Sequence, residues 1–372
     1  MHPFLRVVAA ALVAAVAPPA RPALAQDTPP RNVILIVGDG MGIEAVKLGR
    51  AFENGDTAPL SFEDPAKFPH RATMTHHNAQ GGITDSAASA TAMATGVKVN
   101  NGVLSKRLPG DGEPLTTAAD LFRQQGKAIG IVTRTTDLLD ATPSAWNGHV
   151  EKRDQREVIF RQVVTRAQPD LIFGGTHAAV DAQLARDHGY TVVSNDAATI
   201  LDVVTSGRPV TRILAHWKDQ PPLRVQAAAA LRVLERDPEG FFLLLEEENT
   251  DEAGHGNNAG RMKDGVLSLR DAVDAVLQWA DGRDDTLIIV TADHETGGLT
   301  VAPGPYTAGA LPEVTWSTKD HSATPVGAWA RGPGSDRVTG AIDNTDIFYI
   351  LTSQQRPPQP EPTPVAEPAS AP

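Results

Sequence analysis

The sequence predicts an α/β fold, a doubly wound and mostly parallel central sheet with helices on both faces. Three observations carry this expectation: apolar runs of strand length recur along the chain, they are unbroken rather than alternating, and helical stretches lie between them. A run that is apolar at every position needs cover on both faces, which a parallel sheet between helices provides. Strands alternating with helices are the pattern of successive crossover units.

The expected strands, in chain order, are residues 32–37 (NVILIV, ended by Gly38-Asp39-Gly40), 127–133, 170–173, 190–194, 240–246 and 286–291. Helices are expected over 117–125, stopped by Gly126, over 154–166, over the alanine-rich 226–236 and over 261–281. In the last, Met262, Val266, Leu269, Val273 and Val276 recur in helical rhythm. No repeat of solenoid spacing is present.

The 372 residues are 41% apolar and 21% charged, the balance of a core-forming chain. The formal charge of −12 argues against a nucleic-acid binder, which needs a basic face. Aromatic residues make up 5%, so stacking platforms are not prominent. Cysteine is absent, which excludes disulfides, thiolate metal sites and a cysteine nucleophile. A transition metal would have to be held by His, Asp and Glu.

Residues 1–25 read as a signal peptide: Arg6, a short apolar run over 7–17, then Ala23-Leu24-Ala25 before Gln26. The run is too short to span a bilayer, which takes about 20 residues. Cleavage would remove Arg6 and Arg21 and no acid, taking the formal charge from −12 to −14. The expected product is periplasmic or secreted. Residues 26–355 are expected to form the folded domain, and the proline-dominated 356–372 an extended tail.

Doubly wound sheets bind ligands beyond the carboxyl ends of their strands. Asp39 follows the first strand, Glu246, Asp251 and His255 end or follow the strand at 240–246, and Asp293-His294 follow the strand at 286–291. A single acid at a strand end is ordinarily a cap or turn residue. An adjacent Asp-His and an Asp-x₃-His at neighbouring strand ends exceed what capping explains. Glu247 and Glu248 are expected to be solvated or loop acids. Ser86, after Asp85, opens an alanine- and serine-rich stretch. A serine at a helix start is well placed to receive a phosphoryl group, although an ordinary N-cap explains Asp85-Ser86 equally well.

With these motifs the sequence resembles the alkaline phosphatase family. The resemblance rests on TDSAASATA at Thr84–Ala92, GDGMG at Gly38–Gly42, DATP at Asp140–Pro143 and TADH at Thr291–His294, spread over residues 32–321. It implies an exported phosphomonoesterase on a doubly wound fold, acting through a phosphoserine at Ser86. It also implies one zinc held by Asp251, His255 and His321, a second by Asp39, Asp293 and His294, and a magnesium by Asp39, Thr142 and Glu246. Arg153, eleven residues beyond Thr142, takes the position of the family's phosphate-clamping arginine. Two Zn²⁺ and one Mg²⁺ against Asp39, Glu246, Asp251 and Asp293 leave two positive charges, which match a phosphate dianion.

Arg134, Lys152 and Arg161 are expected to be solvated, and His70, His76, His77, His149, His177, His188 and His216 to have no catalytic role. Glu252 stands where family members often carry lysine or histidine, so an acidic pair with Asp140 near the third metal is expected. The interval from His294 to His321 is short for the family, which leaves homodimerisation open. Three alternatives are weaker. A sulfatase would need C/S-x-P-x-R, absent at Ser86–Ala90, and diesterases of the superfamily usually use threonine and lack the magnesium ligands, whereas Glu246 and Thr142 are present here. A phosphate-binding protein would need no activated serine. A dinucleotide site fails because Gly38, Gly40 and Gly42 do not follow G-x-G-x-x-G.

Overall fold

The computed structural model describes residues 29–194 and 212–357. The signal peptide at 1–25, and the tail apart from Arg356 and Pro357, lie outside the described residues. Arg356 itself is tied to Asp346 at 2.6 Å. No described helix is long and apolar enough to cross a membrane.

The main-sheet strands are β1 (Asn32–Gly38), β2 (His70–Thr75), β3 (Ala128–Arg134), β4 (Leu171–Gly175), β5 (Thr191–Ser194), β6 (Ile213–Trp217), β7 (Phe241–Glu247) and β8 (Thr286–Ala292). Four short pieces come next, β9 (Glu295–Thr296), β10 (Leu299–Val301), β11 (Val314–Trp316) and β12 (His321–Ser322), and then β13 (Val326–Arg331) and β14 (Gly340–Asp343). Among the described residues the main sheet has ten strands, ordered β14-β2-β13-β8-β1-β7-β3-β4-β6-β5. Only β13 runs against its neighbours. The expected mostly parallel sheet is therefore observed.

The six expected strands are present within two residues of their predicted ends. Strands β2, β6, β13 and β14 have no counterpart among the expected ones. Along β2 buried and more exposed positions alternate, as on a sheet margin, so it lacks the unbroken apolar run. Strand β13 spells VGAWAR, a buried run in which Gly327 interrupts the apolar residues. The stretch expected as one helix over 154–166 is an α-helix at Arg156–Gln162 running into a π-helical turn at Val163–Ala167.

The central strands are wholly buried, as two-sided cover requires. Helices Leu223–Leu234 and Ala259–Trp279 pack on each other and on the sheet. Register places the chemistry: Gly38 of β1 lies opposite Glu247 of β7 and Ala292 of β8. Asp39, Glu246 and Asp293 therefore emerge side by side at one sheet edge.

Candidate active site

Asp39 leaves β1 in a tight turn. Gly40 has φ +66°, and a Cβ there would sit 2.7 Å from the Asp251 Cα. Glycine thus lets the segment carrying Asp251 close on Asp39. Helix Asn249–His255 presents Asp251 and His255 one turn apart, which puts both on one face. His321 is brought in by the pairing of β12 with β9, His321 opposite Thr296. Buried Glu295 helps fix this pairing by accepting a hydrogen bond from the Ser322 hydroxyl. Neither Glu295 nor Ser322 carries a sequence signal for that task.

His294 is the centre of the site and is fully buried. Its Nε2 lies 3.1 Å from Ser86 Oγ, 3.2 Å from Asp293 Oδ2 and 3.4 Å from Asp39 Oδ1. Asp293 Oδ1 accepts from the Gly40 and His294 backbone amides. Beyond His294, the His321 ring stacks on it at 3.6 Å, and His321 Nε2 lies 3.5 Å from Asp251 Oδ1. His255 Nε2 lies 3.3 Å from Asp251 Oδ2.

The imidazoles share one orientation. Nδ1 of His321 donates to the Thr84 carbonyl at 2.8 Å and Nδ1 of His255 to the Lys319 carbonyl at 2.6 Å. A carbonyl only accepts, so both rings turn Nε2 toward the acids. Thr296 donates to Asp251, so its oxygen accepts from His294 Nδ1. This is the arrangement that fixes metal-binding histidines.

The carboxylates need cations. Asp39 Oδ1 and Asp293 Oδ2 are buried with no hydrogen-bond partner, and such orphaned charge is costly. Burial and then the Asp251 charge push Asp293 up to about 7. Burial, then Asp140 and Asp293, push Glu246 up to about 8 against its bonds from Thr133 and Thr142. Burial, then Asp293 and Asp251, hold Asp39 well above the usual carboxylate range. The hydrogen bond to Asp251 raises His255 to about 9, and a metal would take the place of that proton. Asp39, Asp293 and His294 form one compact donor group, and Asp251, His294 and His321 another. Hard carboxylates with imidazoles suit zinc. Thr142 Oγ1 reaches Asp39 Oδ2 at 3.4 Å and also bonds Glu246, an all-oxygen set suited to magnesium.

All ten residues expected from sequence converge here. His255 is the outlying one, with its side chain 42% exposed and its contact made through Asp251. Ser86 begins helix Ser86–Thr95, but Asp85 is its N-cap, accepting from Ala88 N, so Ser86 is not occupied in capping. Arg153 projects Nη2 to Asp140 at 2.7 Å and Nη1 to within 3.7 Å of Asp85.

Some expectations are corrected. Glu247 is not solvated: it is fully buried and pairs with Arg134 at 3.1 Å, because β3 and β7 set the two residues opposite each other. Arg134 is accordingly not merely solvated. Glu248 packs against Asp140, and burial followed by that neighbour pushes its carboxyl up to about 11. Glu248, not Glu252, is thus the acid beside Asp140. Glu252 is 55% exposed and lies 3.5 Å from Arg261, so its charge is paired and screened. Lys152 and Arg161 are exposed as expected, and buried His76 binds the Thr324 carbonyl.

A doubly wound sheet whose carboxyl edge leaves acid oxygens uncompensated around a buried serine defines a metal-dependent hydrolase acting by acyl or phosphoryl transfer. A family model described as Alkaline phosphatase matches residues 30–202 and 191–313. Streptomycin-6-phosphate phosphatase of Streptomyces griseus is 30% identical over 410 residues, covering 87% of this chain and 90% of its own. Alkaline phosphatase 4 of Bacillus subtilis is 30% identical, covering 86% of this chain and 88% of its own. The solved alkaline phosphatase of the Antarctic bacterium TAB5 has the same fold, with a TM-score of 0.77 at 24% identity over 89% of this chain and all of that one. The chain belongs to the alkaline phosphatase family and is a phosphoric monoester hydrolase. The family is metal-dependent.

Proposed function

We propose that the protein is exported and hydrolyses phosphate monoesters in two displacements through a phosphoserine at Ser86. The unpartnered oxygens of Asp39 and Asp293 around His294 and Ser86 carry this reading. Asp251, His255 and His321 would hold one zinc, Asp39, Asp293 and His294 the second, and Asp39, Thr142 and Glu246 a magnesium. When bound, these cations balance the acids, lower the pKa of the Ser86 hydroxyl and stabilise the charge developing on the leaving oxygen.

The protein's own groups do the rest. Ser86 Oγ gives up its proton to solvent and forms a bond to phosphorus, as the ester oxygen departs with the electron pair of the broken bond and takes up a proton from solvent. Helix Ser86–Thr95 directs its N-terminal amides and dipole toward that phosphoryl group. Arg153 offers two nitrogens to two non-bridging oxygens, a geometry lysine cannot copy. Water then attacks phosphorus in line, and Ser86 Oγ leaves and regains a proton. Buried Thr84 and Ser89 brace the helix start, Thr84 through its carbonyl to His321 and Ser89 through its hydroxyl to the Asp293 carbonyl.

Arg153→Ala tests this reading. With p-nitrophenyl phosphate, KM and the phosphate inhibition constant should rise about tenfold or more, with measurable turnover surviving. A diester should remain a poor substrate. Unchanged phosphate inhibition, or faster turnover of the diester, would contradict the proposal. For export, the secreted or periplasmic form should begin at or near Gln26, and an active, uncleaved cytoplasmic form would refute it.

A further inference from the structure

One arginine near the site is used neither by the motifs nor by the mechanism. Arg156 lies three residues beyond Arg153, at the start of helix Arg156–Gln162, and its side chain is 17% exposed. Every nitrogen of its guanidinium is engaged. Nε donates to Asp137 Oδ2 at 2.8 Å, Nη2 donates to Asp140 Oδ1 at 2.9 Å, and Nη1 donates to the backbone carbonyl of Arg153. Asp140 Oδ1 is the same oxygen that accepts Arg153 Nη2 at 2.7 Å.

We infer that Arg156 is a positioning residue for phosphate binding, acting through Asp140 and the Arg153 backbone. This rests on Arg153 being the phosphate clamp. A guanidinium docked on one carboxylate spends part of its field there, leaving less for phosphate. Here Asp140 Oδ1 accepts from both guanidinium groups, so the carboxylate that orients Arg153 is itself held by Arg156. Arg156 is in turn anchored by Asp137, which accepts from its Nε. Its bond to the Arg153 carbonyl ties the backbone that carries the clamp. Lysine at this position would supply charge but could not bind all three acceptors in one plane.

The test is a double-mutant cycle read by phosphate inhibition with p-nitrophenyl phosphate as substrate. Arg156→Ala should raise KM and the phosphate inhibition constant together by about fivefold, with kcat changed by less than about twofold. Arg156→Lys should fall between the two. In an Asp140→Asn background, Arg156→Ala should have a clearly smaller effect, because the charged carboxylate that links the two guanidinium groups is gone. Thermal melts of each variant separate loss of fold from loss of positioning, and Arg156→Lys decides the matter if the alanine variant does not fold. Unaltered phosphate inhibition in Arg156→Lys and Arg156→Ala, or an equal effect with and without the Asp140 charge, would overturn the inference. Arg153→Ala run alongside distinguishes the failures: if it too leaves phosphate inhibition unchanged, the clamp assignment is what fails.

Discussion

Stripping divalent metals with a chelator should abolish turnover and lower the melting temperature by about 10 °C or more. A metal that binds only the folded chain stabilises it by roughly 4 kcal/mol at a thousandfold excess over its dissociation constant, and two overlapping donor groups meet at His294. The chelated protein keeps Asp39, Glu246 and Asp293 buried together without counter-charge. Burial and mutual repulsion raise all three pKa values, to about 7 for Asp293 and about 8 for Glu246. The folded metal-free state therefore binds more protons than the unfolded chain between the ordinary carboxylate range and these raised values. Its stability must fall as pH rises through that window. Metal binding displaces those protons, so the stabilisation by metal must grow over the same window. Melting curves with and without chelator at about pH 5 and about pH 8 should diverge at the higher pH. A chelated sample that stays fully active, or whose melting temperature equals that of the metal-loaded protein, would remove the basis for a metal centre.

Ser86→Ala should lower kcat by about a thousandfold or more while metal content and phosphate binding persist. The substitution removes one hydroxyl, whose hydrogen-bond partner is His294 Nε2 at 3.1 Å. It leaves Asp85 as the N-cap, and alanine is at home at a helix start within an alanine-rich segment. The structural cost should stay within about 1.5 kcal/mol, the worth of an ordinary hydrogen bond. A large kinetic loss with little change in melting temperature therefore isolates the nucleophile. Near-native rates in the alanine variant would mean that water attacks the ester directly.

The sheet and the acids at its edge were legible because their signals are local. An unbroken apolar run such as NVILIV marks a buried strand, and the residues just past its carboxyl end mark the ligand edge. Strands β2 and β13 were not legible, since one alternates in burial and the other is a short apolar run interrupted by Gly327, so neither shows the expected pattern. The misread residues depend on strand order or on chain-distant neighbours. Arg134 and Glu247 look like surface charges until β3 and β7 are known to be adjacent. Glu248 looks like a loop acid until Asp140, more than a hundred residues earlier, is found beside it. Glu252 looks like a charge reversal in the cleft until Arg261, nine residues later, is seen to pair with it. Arg156 resembles any polar residue at the start of an amphipathic helix, and only its three acceptors reveal what it holds.

The covalent step is the central claim, and it has a direct measurement. The metal-loaded protein is incubated with a phosphomonoester, quenched in acid during turnover, digested and sequenced by mass spectrometry. The predicted result is one phosphoryl group on the peptide containing Thr84–Ala92, located at Ser86 and absent from Ser86→Ala. A quenched, actively turning-over enzyme with no phosphorylated peptide, or with the phosphoryl group on another residue, would contradict it.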